Sequence, residues 1–203
     1  MFGPSPNYTH ETVLSGSDAR VILRSKSLPL ELRTPVLSET IPLLQLLTNE
    51  NNIKHDRSVS ALNTKEAVER FILDALKVSQ PPDPDVPDRL NLVVIADSMV
   101  VGLSGLGRIT SGVHGKRSGD VGIMIDPKFR GRGYAEESLR ITFDYALRGL
   151  GIDEVVVSCT GANIAVQRLM EGKFGLKGVR SSPESSEFGN ECQYTMKKED
   201  IHW

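Results

Sequence analysis

Between Val121 and Arg148 the sequence reads as a strand, a tight glycine-bearing turn and an amphipathic helix, with no linker between them. The strand signal is Val121-Gly122-Ile123-Met124-Ile125. It is closed by Asp126-Pro127, because proline removes a ladder donor. Arg130-Gly131-Arg132-Gly133-Tyr134-Ala135 follows. From Tyr134 to about Arg148 a helical pattern carries Leu139, Phe143, Ala146 and Leu147 on one stripe, until Gly149 and Gly151 end it. The loop and first-turn amides of such a junction have no intrahelical partners, and the helix N-terminus adds partial positive charge. Gly131 and Gly133 let the backbone approach an oxygen where a β-carbon would clash, and Ala135 stays small for the same reason. Arg130 and Arg132 can meet phosphate oxygens with paired N–H donors. The segment therefore has the makings of a phosphate site. A solvated basic turn has the same composition and is the competing reading.

Two other phosphate loops are excluded. The nucleotide loop Gly-x-x-x-x-Gly-Lys-Ser/Thr is absent. Gly102-Leu103-Ser104-Gly105-Leu106-Gly107 only superficially resembles a dinucleotide fingerprint. Its glycines are in the wrong order and lie inside a strand, so they are read as packing.

Around this segment strands and helices alternate. Short strands are expected over 20–24 and 30–33, and a helix carrying Leu43, Leu44, Leu46 and Leu47 is stopped by Asn49 to Asn52. Asn63-Thr64-Lys65-Glu66 reads as a capping box for a helix that buries Ala67, Phe71, Ala75 and Leu76. The proline-rich stretch 80–87 is a surface connection. Leu90 to Ala96 and Met99 to Leu106 form a hairpin about Asp97-Ser98. A polar loop covers 110–119, and the strand before the turn starts near Asp120. Val155-Val156-Val157 is a buried strand, Asn163 opens a helix with Ala165, Leu169 and Met170 inward, and a strand pair over 176–180 and 192–197 closes the chain. The expected class is α+β (mixed α/β), with antiparallel hairpins flanking alternating elements. Residues 1–18 are expected to be a loose arm, and 19–203 one domain.

The 203 residues suffice for one substantial core. A formal net charge of −2 gives no basic field for nucleic acid or an anionic membrane. The longest apolar run falls far short of the ~20 residues a membrane helix needs, and no basic-then-apolar start marks a secretory signal. Cys159 and Cys192 are read as reduced residues, and no metal-ligand spacing is present. The expected compartment is the cytoplasm, with the nucleus also open.

The motif Arg130-Gly131-Arg132-Gly133-Tyr134-Ala135 resembles the Arg/Gln-x-x-Gly-x-Gly/Ala signature of the GNAT acyltransferases. The resemblance runs from about Leu30 to the C-terminus. Gly119-Asp120-Val121-Gly122, Gly133 to Glu137, Asn163, Phe174-Gly175-Leu176 and the ending at Trp203 look like the branch that holds ribosomal-protein N-terminal acetyltransferases. The resemblance implies a twisted, mostly antiparallel sheet with a splayed strand pair, flanked by helices. It implies acetyl-CoA as co-substrate, and no metal. Main-chain groups of the stretch Ile123-Met124-Ile125, at Ile123 and Ile125, would pair with the pantetheine arm, and pyrophosphate would rest on the amides of Gly131 to Ala135. Asn163 would face pantetheine, cap its helix, or both.

In that family an amine attacks the acetyl carbonyl directly, so no enzyme nucleophile is needed and Cys159 is read as a buried strand residue. Deprotonating a lysine amine at pH 7 costs about 4.6 kcal/mol, and a peptide α-amine only about 1 kcal/mol. Asp120 corresponds to an acidic position of the branch and is the first candidate for base or amine anchor; a surface ion pair is its alternative. His114 titrates in a useful range. Glu136 and Glu137 are expected only to favour the helix dipole. No tyrosine lies on the helix after Asn163, Tyr194 is a distant substitute, and Val166 stands where relatives commonly have serine. No general acid is therefore named. The implied partner is an amine acceptor, either a small molecule or a protein N-terminus, with a monomer or homodimer as the working unit. The second reading is an acyl-CoA-binding module of the same fold without turnover.

Overall fold

The computed structural model describes residues 5–15, 18–54, 56, 59–78, 88–112, 115–185 and 189–203. The expected loop histidine, His114, and the connection 80–87 lie outside these residues.

Period-two runs of aliphatic residues build the sheet. Its strands are β1 (Tyr8–Ser15), β2 (Asp18–Ser25), β3 (Leu30–Arg33), β4 (Leu90–Ala96), β5 (Met99–Ser111), β6 (Arg117–Ile125), β7 (Glu154–Cys159), β8 (Val179–Arg180) and β9 (Cys192–Lys197). They lie in the order β1-β2-β3-β4-β5-β6-β7-β9-β8. Every described pairing is antiparallel except β6 with β7, which is parallel. The helices are α1 (Thr40–Thr48), α2 (Glu50–Ile53), α3 (Lys65–Val78), α4 (Tyr134–Asp144) and α5 (Ile164–Lys173).

Each sheet face buries its own core. On one face α4 and α5 cover Leu23, Leu32, Leu92, Leu106 and Val157, together with their own Phe143 and Met170. On the other, α1 and α3 bring Leu43, Leu46, Leu47, Val68 and Ile72 onto Val93 and Met124. Thr64 caps α3 by accepting from the Ala67 amide at 3.2 Å. The buried stripe of α3 sits one residue on from the expected one: Val68 and Ile72 are buried with Ala75 and Leu76, and Ala67 and Phe71 are half-buried. A similar shift leaves Ala165 of α5 exposed and buries Gln167 beside Met170.

Two expectations are corrected. Residues 8–15 of the supposed arm form β1, paired with β2 from Tyr8↔Ser25 to Ser15↔Asp18. Tyr8, Thr9, Thr12 and Val13 favour extended backbone, and the buried Tyr8 hydroxyl donates to Asp144 Oδ2 at 3.1 Å. The loop expected over 110–119 is largely ladder, since β5 and β6 pair as far as Ser111↔Arg117. Its polar residues reflect a hairpin tip that leaves the core, not a missing strand. Asn49 ends α1 as expected, and it also accepts from the Asn51 amide at 3.0 Å and starts α2.

Gly102 and Gly105 of β5 serve packing, whereas Gly107 has room for a side chain. Gly105 has φ of 124°, and a β-carbon there would strike the carbonyl of Leu90. Opposite it, Gly122 has open space above its Cα. Gly105→Ala should therefore destabilise by about 2–4 kcal/mol in urea denaturation, through strain and overpacking. Gly122→Ala should leave stability unchanged or raise it by up to about 1 kcal/mol.

Candidate functional site

β6 and β7 pair only over Ser118↔Glu154, Gly119↔Val155 and Asp120↔Val156. Beyond that point β6 continues to Ile125 against β5 alone, and β7 continues to Cys159 against β9 alone. The strands part and leave a gap. The Asp126 amide donates to the Val101 carbonyl at 2.9 Å, which fixes the phase of the β5–β6 ladder. By the two-residue repeat, the main-chain groups of Met124 and Gly122 face β5, and those of Val121, Ile123 and Ile125 face the gap.

Asp120 closes the base of this fork. Val121 and Ile125 are buried in the α4/α5 core, so alternation puts Asp120 and Gly122 on the other face with Met124. Asp120 is exposed, and its ladder partner on β5 is Arg108. Desolvation by the surrounding strands raises its carboxyl pKa, and the Arg108 charge opposes that shift.

The turn at the open end of the fork is built locally. Asp126 accepts from the Lys128 amide at 2.8 Å and starts a short 3-10 turn, Pro127–Phe129. Gly131 and Gly133 then take φ of 76° and 80°, in the left-handed region. A β-carbon at Gly131 would meet nothing within 4 Å, so this glycine meets a backbone demand and keeps the approach clear. The Glu137 amide donates to the Gly133 carbonyl at 3.0 Å as the first bond of α4, leaving the preceding amides without helical acceptors. The Tyr134 ring is buried in the core, so this residue offers the turn only its main chain, and Ala135 beside it is half-buried.

The two arginines of the turn part company. Arg132 is exposed, its guanidinium carbon 5.3 Å from the centre of the Phe129 ring. Arg130 is exposed as well, but its guanidinium is turned back onto the protein: Nε donates to the Ile125 carbonyl at 2.9 Å, and Nη2 to Asn52 Oδ1 at 2.6 Å and to the Asn51 carbonyl at 3.2 Å. The acids of the first turn do more than favour the dipole. Glu136 bonds Arg140 at 2.9 Å and Lys173 at 3.2 Å, and the Arg140 bond leads in holding its carboxyl below the usual range. Glu137 is buried and accepts from the Ser25 hydroxyl.

Across the gap, Asn163 Oδ1 caps α5 by accepting from the Val166 amide at 3.4 Å. Two residues that the sequence pattern did not single out hold the turn before it. Glu191 accepts from the Gly161 amide at 2.7 Å, and Gln167 Nε2 donates to the Gly161 carbonyl at 2.8 Å. A polar residue buried on an otherwise aliphatic helix face, four positions after the cap, was the available signal for Gln167. Cys159 is buried, and burial beside Cys192 pushes its thiol up to about 12. Tyr194 is buried and donates to Glu171 Oε1 at 2.9 Å. Burial and that bond raise its pKa and commit its hydroxyl. Among the described residues no group of three or more His, Cys, Asp and Glu side chains could hold a metal ion, and no helix is long and apolar enough to cross a membrane.

The acetyltransferase (GNAT) domain profile matches residues 30–177. The chain is 22% identical over 90 residues to the uncharacterized N-acetyltransferase YnaD of Bacillus subtilis (strain 168), covering 42% of this chain and 52% of that protein. It thus spans about half the length of the curated relative it matches. Among solved structures it resembles RimL, a ribosomal L7/L12 α-N-protein acetyltransferase in complex with coenzyme A, with a TM-score of 0.70 at 18% identity over 86% of this chain and 97% of that one. It also resembles the microcin C7 self-immunity acetyltransferase MccE in complex with acetyl-CoA and AMP, with a TM-score of 0.69 at 16% identity over 91% and 98%. At such identities these likenesses establish the fold, a mostly antiparallel sheet flanked by helices.

The buried thiols give a direct check on the site. In the folded protein neither Cys159 nor Cys192 should react with a disulfide reagent such as DTNB at pH 7.5, and both should react on unfolding in denaturant.

Proposed function

The chain belongs to the acetyltransferase (GNAT) family, and from that premise we propose that it moves an acetyl group from acetyl-CoA to a primary amine, on a protein N-terminus or a small molecule. The fork between β6 and β7 carries the reading. A pantetheine arm along β6 gives the main-chain groups of Ile123 and the amide of Ile125 the partners that β7 does not supply, beside the Ile125 carbonyl that Arg130 already engages. The pyrophosphate rests on the amides of Gly131, Arg132, Gly133, Tyr134 and Ala135, with Arg132 beside them. Asn163, while capping α5, borders the thioester end. The names of RimL and MccE support an amine acceptor and leave its size open.

The acceptor amine attacks the acetyl carbonyl carbon, and the carbon–sulfur bond breaks to release the coenzyme A thiolate. The amine loses one proton and the thiolate gains one. Asp120, at the base of the fork, takes the amine proton or holds the ammonium before it is lost. Its raised pKa makes it a stronger base than an ordinary aspartate, and the exposed face it occupies is open to an acceptor. Cys159, with its raised pKa and full burial, takes no part, and the Tyr194 hydroxyl is committed to Glu171. The acid for the thiolate is left to the acceptor or to water.

Acetyl-CoA at one hundred times its dissociation constant should add about 2.7 kcal/mol, raising Tm by roughly 5–10 °C. ATP and NADH should not. Gly133→Asp, which places a carboxylate and a strained φ at the anion site, should abolish the shift. A folded wild type with no shift would refute the acetyl-CoA reading.

A pH series tests Asp120. A raised folded pKa means that the fold disfavours the ionised form. The stabilising contribution is present at low pH and is lost as pH rises through the folded pKa. Asp120→Asn should therefore raise Tm at pH 7, while acetylation of α-amine peptides falls by about 10²–10⁴. The wild-type rate should rise with pH through a step above the usual aspartate range, and the variant should lack that step. An unchanged rate would remove Asp120 from the mechanism.

A further inference from the structure

We propose that Arg130 is a positioning residue that couples α2 to the donor-binding strand β6, and not a ligand of the pyrophosphate. The inference rests on the acetyl-CoA reading above. The guanidinium joins two elements that nothing in the sequence places together. Nε donates to the carbonyl of Ile125, the last residue of β6, and Nη2 to Asn52 Oδ1 and the Asn51 carbonyl of α2. Asn52 is buried, and its Nδ2 donates to the Leu46 carbonyl of α1 at 2.9 Å. One cation thus links the end of the cofactor strand to α2, and through Asn52 to α1.

The chemistry suits arginine. A planar fork with fixed donor directions bridges several neutral oxygens at once, whereas a lysine ammonium is a compact point charge. Although its side chain is exposed, these bonds commit Nε and Nη2 of Arg130 to β6 and α2, and Arg132, two residues on, is the loop arginine left for an anion. The Ile125 carbonyl is also one of the groups that face the gap. A donor molecule seated there bears on a strand end that Arg130 already holds. α1 packs Leu43, Leu46 and Leu47 in the same core as Met124, on the face of β6 that Asp120 shares. The bridge therefore runs from the donor side of the strand to the acceptor side, and occupation of one side shifts the placement of the other.

Calorimetric titration with coenzyme A separates the two roles, with Tm recorded for every variant so that only folded protein is compared. If Arg130 couples through Asn52, then Arg130→Gln and Asn52→Leu should each weaken coenzyme A about tenfold, within the ordinary range of coupling between sites. The double variant should be no weaker than either single one. Asn52→Asp keeps an oxygen for Arg130 and loses the donor to Leu46, and it should bind like wild type. Arg132→Gln should weaken binding further in each background. In hydrogen exchange, coenzyme A should protect the amides of Asn51 to Lys54 in wild type and not in Arg130→Gln. Binding by Asn52→Leu equal to wild type, while Arg130→Gln fails, would make Arg130 a direct ligand and overturn the proposal. Equal loss in Asn52→Asp and Asn52→Leu would also overturn it, by assigning the effect to Leu46. Wild type that does not bind coenzyme A would instead refute the acetyl-CoA reading, and this proposal with it.

Discussion

The ladder between β6 and β7 ends after Asp120 and Val156, and the rest of the molecule is arranged around that break. Unpaired backbone inside a sheet is costly, so a strand can leave its neighbour only if its other edge is secure and a new partner is available. β5 secures β6 along its whole length, and β9 does the same for β7. α4 connects the two strands, and its N-terminus lies directly after the end of β6. The exposed strand edge and the unpartnered helix amides therefore arise from one local arrangement. A long ligand with amides at one end and phosphates at the other matches both.

Electrostatics around that N-terminus follow from the same placement. Two carboxylates in the first turn would repel an anion if they stood free. Glu136 is neutralised by Arg140 and Lys173, and Glu137 is withdrawn into the interior against Ser25. These contacts also tie α4 to α5 and to β2, so acids that seem ill placed in the sequence fasten the helix whose end they flank. Arg140 stacks near Phe174 and Trp203, with its guanidinium carbon 5.5 Å and 4.9 Å from their ring centres, and so binds the chain end to the same helix.

Much of this was legible before the fold was known. The strand, turn and helix from Val121 onward, the hairpin about Asp97-Ser98, the packing role of Gly105 and the burial of Cys159 all rest on local rules: periodicity, left-handed glycine and proline as a stop. The errors share a cause as well. β1 and the tip of the β5–β6 hairpin carry polar residues because they reach past the core, so their alternation is weak. Pairing across the sheet, which no local window contains, makes them strands. The one-residue rotation of the α3 stripe likewise depends on how α3 lies against α1 and Val93.

The sequence by itself determined that a turn with two left-handed glycines opens a helix after a strand, since glycine conformations and helix-end amides are set within a few residues. Only the tertiary structure decided which side chains serve that turn. Arg130 and Arg132 are alike in type and two residues apart, and no local rule distinguishes them. Both are exposed, but Asn52 and the Ile125 carbonyl engage the guanidinium of one, and the other lies beside the Phe129 ring. In the same way Asp120 gains its position at the fork from where β7 stops pairing, and Gln167 and Glu191 gain theirs from the turn they both grip. These roles arise from contacts between residues far apart in the chain, whose geometry exists only once the sheet has closed around them.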